Sequence, residues 1–220
     1  MKEISKSFAN SLAININDLG IDLLEVGLDS VLDDGILKEI PVIKSIVGVA
    51  KVGLCLRERN LMIRLVEFIN ELNSGSIDKE KLAKHQKLLN SNSNYAEKEL
   101  GRVILLLDRM IDTKKSVILA KLYKAYINEK ISWEEFCEYS EINNRMFIED
   151  LDVFRSIWYG RLKDSTDLND KFRIERLNSL GLIALTVKSI TSISKKMITD
   201  NYITFSKLGR EFAKVIFENH

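Results

Sequence analysis

Apolar residues along most of the chain recur at intervals of three and four positions, which is the spacing of an amphipathic α-helix. Within 57–73, for example, Leu61, Leu65 and Phe68 follow this spacing. Polar turn sequences rich in Asn, Ser, Asp and Gly separate the apolar runs. The pattern therefore predicts helices over 4–32, 42–56, 57–73, 78–89, 95–111 and 114–128.

Three polar residues in the first two thirds of the chain are predicted to cap helices. Asp78 precedes a short helix, and Asn94 and Ser132 each have a glutamate three positions later, which is the pattern of a capping box. The adjacent Glu134 and Glu135 also suggest acid–base chemistry. In the first turn of a helix, however, carboxylates are ordinary partners of the helix dipole, so we interpret both glutamates as structural.

The pattern changes in the last third of the chain. A helix predicted over 146–158 is followed by a break at Gly160, and a second helix ends at Gly181. Beta-branched and polar residues then alternate, and a second strand over 201–205 leads into a helix capped by Ser206. Helix, helix, hairpin and helix is the order of a winged-helix domain. The predicted fold is mainly α, with a multi-helix body and a C-terminal winged-helix domain whose wing is a small β-hairpin.

The turn sequences divide the chain into three predicted regions: a helical hairpin over 1–75, a middle helical region over 76–131, and a linker helix with the winged-helix domain over 132–220. Charge supports the hairpin. Residues 1–35 carry a formal charge of −5, whereas 36–64 carry +4. Opposite charges on consecutive helices favour pairing within the chain over binding of an external ligand.

Two parts of the sequence resemble known proteins. Residues 176–183, followed by 202–215, look like the end of many prokaryotic winged-helix domains. The whole chain, including 35–59, is similar to small helical proteins of the abortive-infection alpha type, which are found in bacterial and phage genomes. This resemblance implies a link to phage–host conflict and no known reaction.

Basic residues in the winged-helix region suggest contact with nucleic acid. Nine Lys or Arg residues between 171 and 214 face three carboxylates, a local charge of +6. On the helix before the hairpin, Lys171 and Asn178 are predicted to face outward and Arg176 to lie at the flank, where a recognition helix meets phosphates or bases. Lys195 and Lys196 at the predicted wing tip could neutralise phosphates of duplex DNA.

Acidic residues near the same helix favour a different partner. Asp164, Asp167 and Asp170 precede the helix, and Glu175 is predicted to lie on its exposed face. Winged helices also serve as protein-binding or structural modules. The sequence therefore leaves two partners open for this domain, double-stranded DNA and a protein.

The predicted helix over 42–56 is apolar around most of its circumference, and its two lysines share one narrow stripe with Gly48. Such a helix needs cover on nearly every side. The small residues Gly48, Ala50 and Gly53 would allow a neighbouring helix to approach closely. The segment is therefore predicted to lie in a core hairpin, to form the interface of a homo-oligomer, or to bind a membrane surface.

The sequence predicts neither a membrane span nor a secreted protein. As a helix, 42–56 would extend about 22 Å, short of the roughly 30 Å of a hydrocarbon layer. Residues 1–10 lack the apolar run of a secretory signal. Cys55 and Cys137 lack metal or redox spacing and are expected to be reduced thiols in the cytoplasm.

Residues for catalysis are scarce. His85 lies in a Lys-rich helix and His220 is the last residue, so no triad around a histidine is predicted. Gly48 and Gly53 lack the Lys and Ser or Thr of a phosphate-binding loop, and no Cys, His or carboxylate set has the spacing of metal ligands. We predict no catalytic residue, cofactor or metal.

The sequence leads to one principal functional prediction and two alternatives. The first is a non-enzymatic, cytoplasmic, homo-oligomeric binding protein of phage–host conflict, whose winged helix contacts a partner. The second is a winged-helix transcription regulator that binds DNA. The third is a membrane-active effector that acts through 42–56.

Overall fold

The computed structural model describes residues 2–15, 39–49, 55–74, 77–162, 170–189 and 199–218. The described part is mainly helical, with ten helices and one two-stranded antiparallel sheet near the C-terminus. The chain divides into two compact units, which we call the N-terminal unit (Met1–Ser140) and the C-terminal unit (Glu141–Asn219). The three regions expected from the turn sequences stay a prediction.

The helices of the N-terminal unit are α1 (Lys2–Ser11), α2 (Pro41–Val49), α3 (Leu56–Asn73), α4 (Lys79–Ser91), α5 (Ser93–Arg109), α6 (Thr113–Ile127) and the start of α7 (Trp133–Arg145). The C-terminal unit contains the end of α7, followed by α8 (Ile148–Trp158), α9 (Lys171–Ser179), β1 (Ile183–Ser189), β2 (Thr199–Phe205) and α10 (Lys207–Phe217). No helix in the described ranges is both long and apolar enough to cross a membrane.

A chain of aromatic rings forms the centre of the N-terminal unit. Phe8 of α1 packs on Phe68 of α3 with ring centroids 5.8 Å apart, and Phe68 packs on Tyr123 of α6 at 5.7 Å. Tyr123 in turn lies 5.6 Å from Phe136 of α7. All four side chains are fully buried. These residues link four helices into one core, because each large ring removes apolar surface from water.

Local capping signals in the sequence are confirmed at two helices. The Asp78 carboxylate accepts hydrogen bonds from the backbone N–H groups of Glu80 and Lys81. At the start of α7, Ser132 Oγ accepts from the backbone N–H of Glu135 at 3.1 Å, and the Glu135 carboxylate accepts from that of Ser132 at 2.7 Å. This reciprocal pair is the predicted capping box.

Three predicted helices have different bounds in the structure. The helix expected over 95–111 starts at Ser93, with Asn92 rather than Asn94 as its cap, and ends at Arg109. The helix expected over 4–32 ends at Ser11, and the Asn73 side chain donates to the backbone carbonyls of Leu12 and Ile14; the rest of the expected range, from residue 16 on, lies outside the described residues. The helix expected over 42–56 is described only as Pro41–Val49, and Cys55 is an extended cap of the next helix.

The C-terminal unit is built around the hairpin and two flanking helices. Ile183 of β1 pairs with Phe205 of β2 at the inner end of the ladder. Phe154 of α8 lies 5.5 Å from Phe205 and 6.0 Å from Phe212 of α10. Ser206 Oγ accepts from the backbone N–H of Gly209, which confirms the predicted cap of the last helix.

Candidate partner-binding surface of the C-terminal unit

Helix α9 has one buried and one exposed face, as its sequence predicted. Ile174 and Leu177 are fully buried. Lys171 and Asn178, which were predicted to contact nucleic acid, are exposed. The helix therefore presents a polar outer surface to a possible partner.

Arg176, the third predicted contact on this helix, is held by an internal ion pair that the sequence analysis missed. Its guanidinium donates to both carboxylate oxygens of Asp150 on α8, and the distance from Nε to Oδ2 is 2.9 Å. Asp150 is completely buried. The hydrogen bonds to Asp150 raise the pKa of Arg176 above its ordinary value. Arg176 therefore has a structural partner, which reduces its capacity to bind phosphate.

Two partly exposed phenylalanines flank the same guanidinium. The Arg176 Cζ lies 4.7 Å from the ring centroid of Phe147 and 5.0 Å from that of Phe172. Phe147 is 57% exposed and Phe172 is 49% exposed. We call Phe147, Phe172 and Arg176 the aromatic clamp. Aromatic residues and arginine are enriched at protein interfaces, where they supply much of the binding energy.

An acidic cleft lies between α8 and α9. Its volume is about 280 Å³, and it is lined by Glu149, Asp152, Val153, Ser156, Asp170 and Arg173. Arg173 forms an ion pair with Asp170 at 2.6 Å, and its guanidinium lies 4.9 Å from the ring of Phe172 in the aromatic clamp. Three carboxylates and one guanidinium give the lining a formal charge of −2. Such a cleft attracts cations and repels phosphates.

Several basic residues of 171–214, the segment whose positive charge suggested DNA binding, form ion pairs within the chain. Arg173 pairs with Asp170, Arg176 with Asp150, and Lys214 with Glu211. Of the basic residues in this segment whose side chains are described, Lys171, Lys207 and Arg210 form no ion pair with another described residue. Lys195 and Lys196, the predicted wing-tip contacts, lie outside the described residues.

The predicted oligomer contacts are described only at Gly48. This residue is exposed, and a Cβ added to it would have no atom within 4 Å. Within the described residues, Gly48 is therefore not covered by a closely packed helix of the same chain. Ala50 and Gly53 lie outside the described residues.

The components of the clamp were partly visible in the sequence. Asp150 occupies the third position of α8, where its carboxylate accepts from the backbone N–H of Phe147 at 3.3 Å. A carboxylate at this position indicates a helix start and does not reveal a second role. Phe172 is adjacent to Lys171, so a search for exposed aromatic residues in the predicted recognition helix would have found it.

In the described residues, no group of three or more His, Cys, Asp or Glu side chains could hold a metal ion.

Comparison with known proteins gives no relative from which to assign these surfaces. No protein-family model matches the chain, and no curated protein or solved structure matches it either.

Proposed function

We propose that the chain is a non-enzymatic binding protein whose C-terminal unit is a winged-helix module that docks onto a protein. The order of α8, α9, β1, β2 and α10 supports the winged-helix assignment. The observation that carries the proposal is the aromatic clamp beside the acidic cleft. An apolar contact next to negative charge suits a protein segment that carries an apolar side chain followed by Lys or Arg.

The clamp is organised before a partner arrives. The Arg176 guanidinium touches both rings and is itself anchored on buried Asp150. Rigid side chains lose little conformational entropy when they bind, so more of the contact energy remains as affinity. The exposed halves of Phe147 and Phe172 are thus suited to be the energetic centre of an interface.

The direct test is selection of peptides from a display library on the full-length protein, with each position of the library unbiased. We expect the enriched peptides to combine a large apolar residue with Lys or Arg. Phe147→Ala and Phe172→Ala should each weaken binding of a selected peptide by about tenfold or more. Asp152→Asn should reduce the salt dependence of binding, because it removes one charge from the acidic cleft.

Lys171→Ala is the matched control, since Lys171 is exposed on the same helix but does not line the acidic cleft. It should leave peptide affinity within about twofold of wild type. Enrichment of acidic peptides, or equal binding by the Phe147→Ala and Phe172→Ala variants, would contradict the proposal.

A second candidate is binding of duplex DNA, which the exposed Lys171 and Asn178 of α9 favour. In this case, changing Lys171, Lys195 and Lys196 together to Ala should weaken duplex binding about equally for all sequences and lower the salt slope by roughly one per residue. Asn178→Ala should relax sequence preference at a cost of about 1 to 3 kcal/mol. Titration of a labelled duplex at two salt concentrations measures both effects. A triple variant that binds duplex as well as wild type would rule out DNA contact at these lysines.

The wider role in phage–host conflict stays a proposal that rests on the resemblance of the whole chain. It predicts that deleting the gene changes the yield of at least one phage in the native host. The Phe147→Ala variant should behave like the deletion if the clamp binds the relevant partner. A normal phage yield in the deletion strain for every phage of a broad panel would argue against this role.

A further inference from the structure

The N-terminal unit contains an open cleft between α4, α5 and α6. Its volume is about 540 Å³, and it is lined by Lys81, Lys84, His85, Lys87, Leu88, Ser91, Tyr95, Tyr126, Ile127 and Glu129. This volume is in the range of small-molecule sites, about 300 to 1,000 Å³. The lining combines aromatic and aliphatic side chains with basic groups, and none of it belongs to the C-terminal unit.

A buried carboxylate forms hydrogen bonds with residues that line this cleft. Glu99 of α5 is 3% exposed, and it accepts hydrogen bonds from Tyr123 at 2.6 Å and Tyr126 at 3.2 Å. His85 Nε2 lies 2.7 Å from the same carboxylate. Burial raises the pKa of Glu99, but the hydrogen bond and charge of His85, together with the hydroxyl of Tyr123, lower it more. Glu99 is therefore ionised and can only accept hydrogen bonds.

The ionised carboxylate sets the direction of the surrounding hydrogen bonds. His85 Nε2 carries a proton toward Glu99, and Tyr126 donates its hydroxyl hydrogen to the same group. The Tyr95 hydroxyl lies 3.0 Å from that of Tyr126, and either oxygen can be the donor in this pair. The network uses the tyrosine hydroxyl hydrogens internally and fixes both rings at the cleft. These rings can therefore serve as a rigid apolar surface for stacking.

Positive charge surrounds the opening of the cleft. Lys81 is occupied, since its Nζ lies 2.8 Å from Glu129 and 2.9 Å from a backbone carbonyl oxygen. Lys84 and Lys87 are exposed and form no ion pair with the described residues. Three lysines and Glu129 give the rim a formal charge of +2. A phosphate monoester carries about −1.5 to −2 near pH 7, which matches this charge better than a single carboxylate does.

We propose that the cleft binds an aromatic phosphate monoester of the size of a nucleoside monophosphate. The planar ring would lie against Tyr95, Tyr126 and Leu88, and the phosphate would be bound by Lys84 and Lys87. Tight binding requires both parts of such a ligand, because the ring contacts the apolar wall and the phosphate contacts the cationic rim. A phosphate alone would lack the stacking contact, and an uncharged ring would lack the ammonium groups.

Fluorescence of Trp133 provides the test in the full-length protein, because its ring lies 5.3 Å from that of Tyr126. Trp158→Phe removes the second of the two tryptophans, so that the emission comes from Trp133. Titrations would compare the four common ribonucleoside monophosphates, phenyl phosphate, the matching nucleosides and inorganic phosphate. We expect saturable binding of at least one aromatic phosphate, and affinities lower by about tenfold or more for nucleosides and inorganic phosphate.

Variants then locate the site. Replacing Lys84 and Lys87 together with Ala should weaken binding by about tenfold or more, and Leu88→Asp should do the same. Both changes are at exposed positions, so the fold should be retained. The matched control is Lys79→Ala, an exposed lysine of α4 that does not line the cleft.

Three results would overturn the proposal. One is the absence of saturable binding for every aromatic phosphate up to several times about 1 mM, a Kd that corresponds to only about −4 kcal/mol of binding free energy. Another is equal affinity for a nucleoside and its monophosphate, which would show that the lysine rim makes no contribution. The third is unchanged affinity in the Lys84→Ala, Lys87→Ala double variant, which would place any bound ligand elsewhere on the protein.

Discussion

The guanidinium of Arg176 donates two hydrogen bonds to the carboxylate of Asp150, a residue 26 positions earlier that has no exposed surface. The pair connects α9 to the start of α8 and orients the guanidinium between two phenylalanine rings. One interaction thus stabilises the C-terminal unit and shapes the surface that we propose as its partner-binding site.

Replacing Arg176 should lower the stability of the C-terminal unit, because the buried carboxylate of Asp150 would lose its ion-pair partner. Because an unpaired buried carboxylate is unfavourable and Arg176 itself is 36% exposed, we expect Arg176→Ala to lower the free energy of unfolding by about 2 to 3 kcal/mol. Asp150→Asn should cost less in the Arg176→Ala background than in wild type. Denaturant unfolding followed by Trp158 fluorescence, in a Trp133→Phe background, would measure this coupling. Additive effects of the two changes would show that the pair contributes nothing to stability.

The carboxylate network of the N-terminal unit should make its stability fall in acid. The folded-state pKa of Glu99 lies below its ordinary value of 4.5, so the unfolded state binds the proton more tightly. The stabilisation from Glu99 is then complete above pH 4.5 and is lost as the pH falls through the folded-state pKa. Glu99→Gln should cost about 1.5 to 3 kcal/mol near neutral pH and flatten this acid dependence.

Trp133 fluorescence in the Trp158→Phe background would follow this transition as a function of pH. Glu97→Gln is the control, because Glu97 lies on the same helix but outside the hydrogen-bond network of Glu99. It should leave the acid dependence close to that of wild type. If Glu99→Gln and Glu97→Gln have the same pH profile, Glu99 does not control acid stability.

Two glycines should respond in opposite ways to replacement by alanine. A Cβ on Gly209 would lie 1.8 Å from the backbone oxygen of Leu182, whereas a Cβ on Gly101 would have no neighbour within 4 Å. Gly209→Ala should therefore destabilise the C-terminal unit by about 3 kcal/mol, because the backbone must move. Gly101→Ala should stabilise the N-terminal unit by about 0.5 to 1 kcal/mol, since alanine favours the helix. Thermal unfolding of both variants would test this contrast.

Self-association should depend on the exposed face of α2. Gly48 has open space around its Cα, so Gly48→Leu should leave the monomer folded while obstructing a close contact with a second copy. We expect wild type to form oligomers in analytical ultracentrifugation and Gly48→Leu to weaken association by about tenfold, whereas Gly48→Ala should have a smaller effect. A wild-type protein that is monomeric at high concentration would exclude this interface.

The sequence by itself determined most helices, the hairpin and the caps at Asp78, Ser132 and Ser206. These features depend on residues a few positions apart, because helix periodicity, strand alternation and side-chain capping are short-range interactions. The same information predicted that Lys171 and Asn178 would lie on the exposed face of α9.

Only the tertiary structure decided which polar groups meet. The sequence predicted a nucleic-acid contact at Arg176 but not its ion pair with Asp150, and it showed no partner for His85, to which the fold brings Glu99 and Tyr123. The backbone carbonyls just after α1 likewise accept hydrogen bonds from Asn73, a residue of another helix. The residues of these pairs are 14 to 61 positions apart in the sequence. Helix packing brings them together, because it buries polar groups and a buried polar group needs a hydrogen-bond partner. The periodicity of apolar residues along the chain does not indicate which distant residue will be that hydrogen-bond partner.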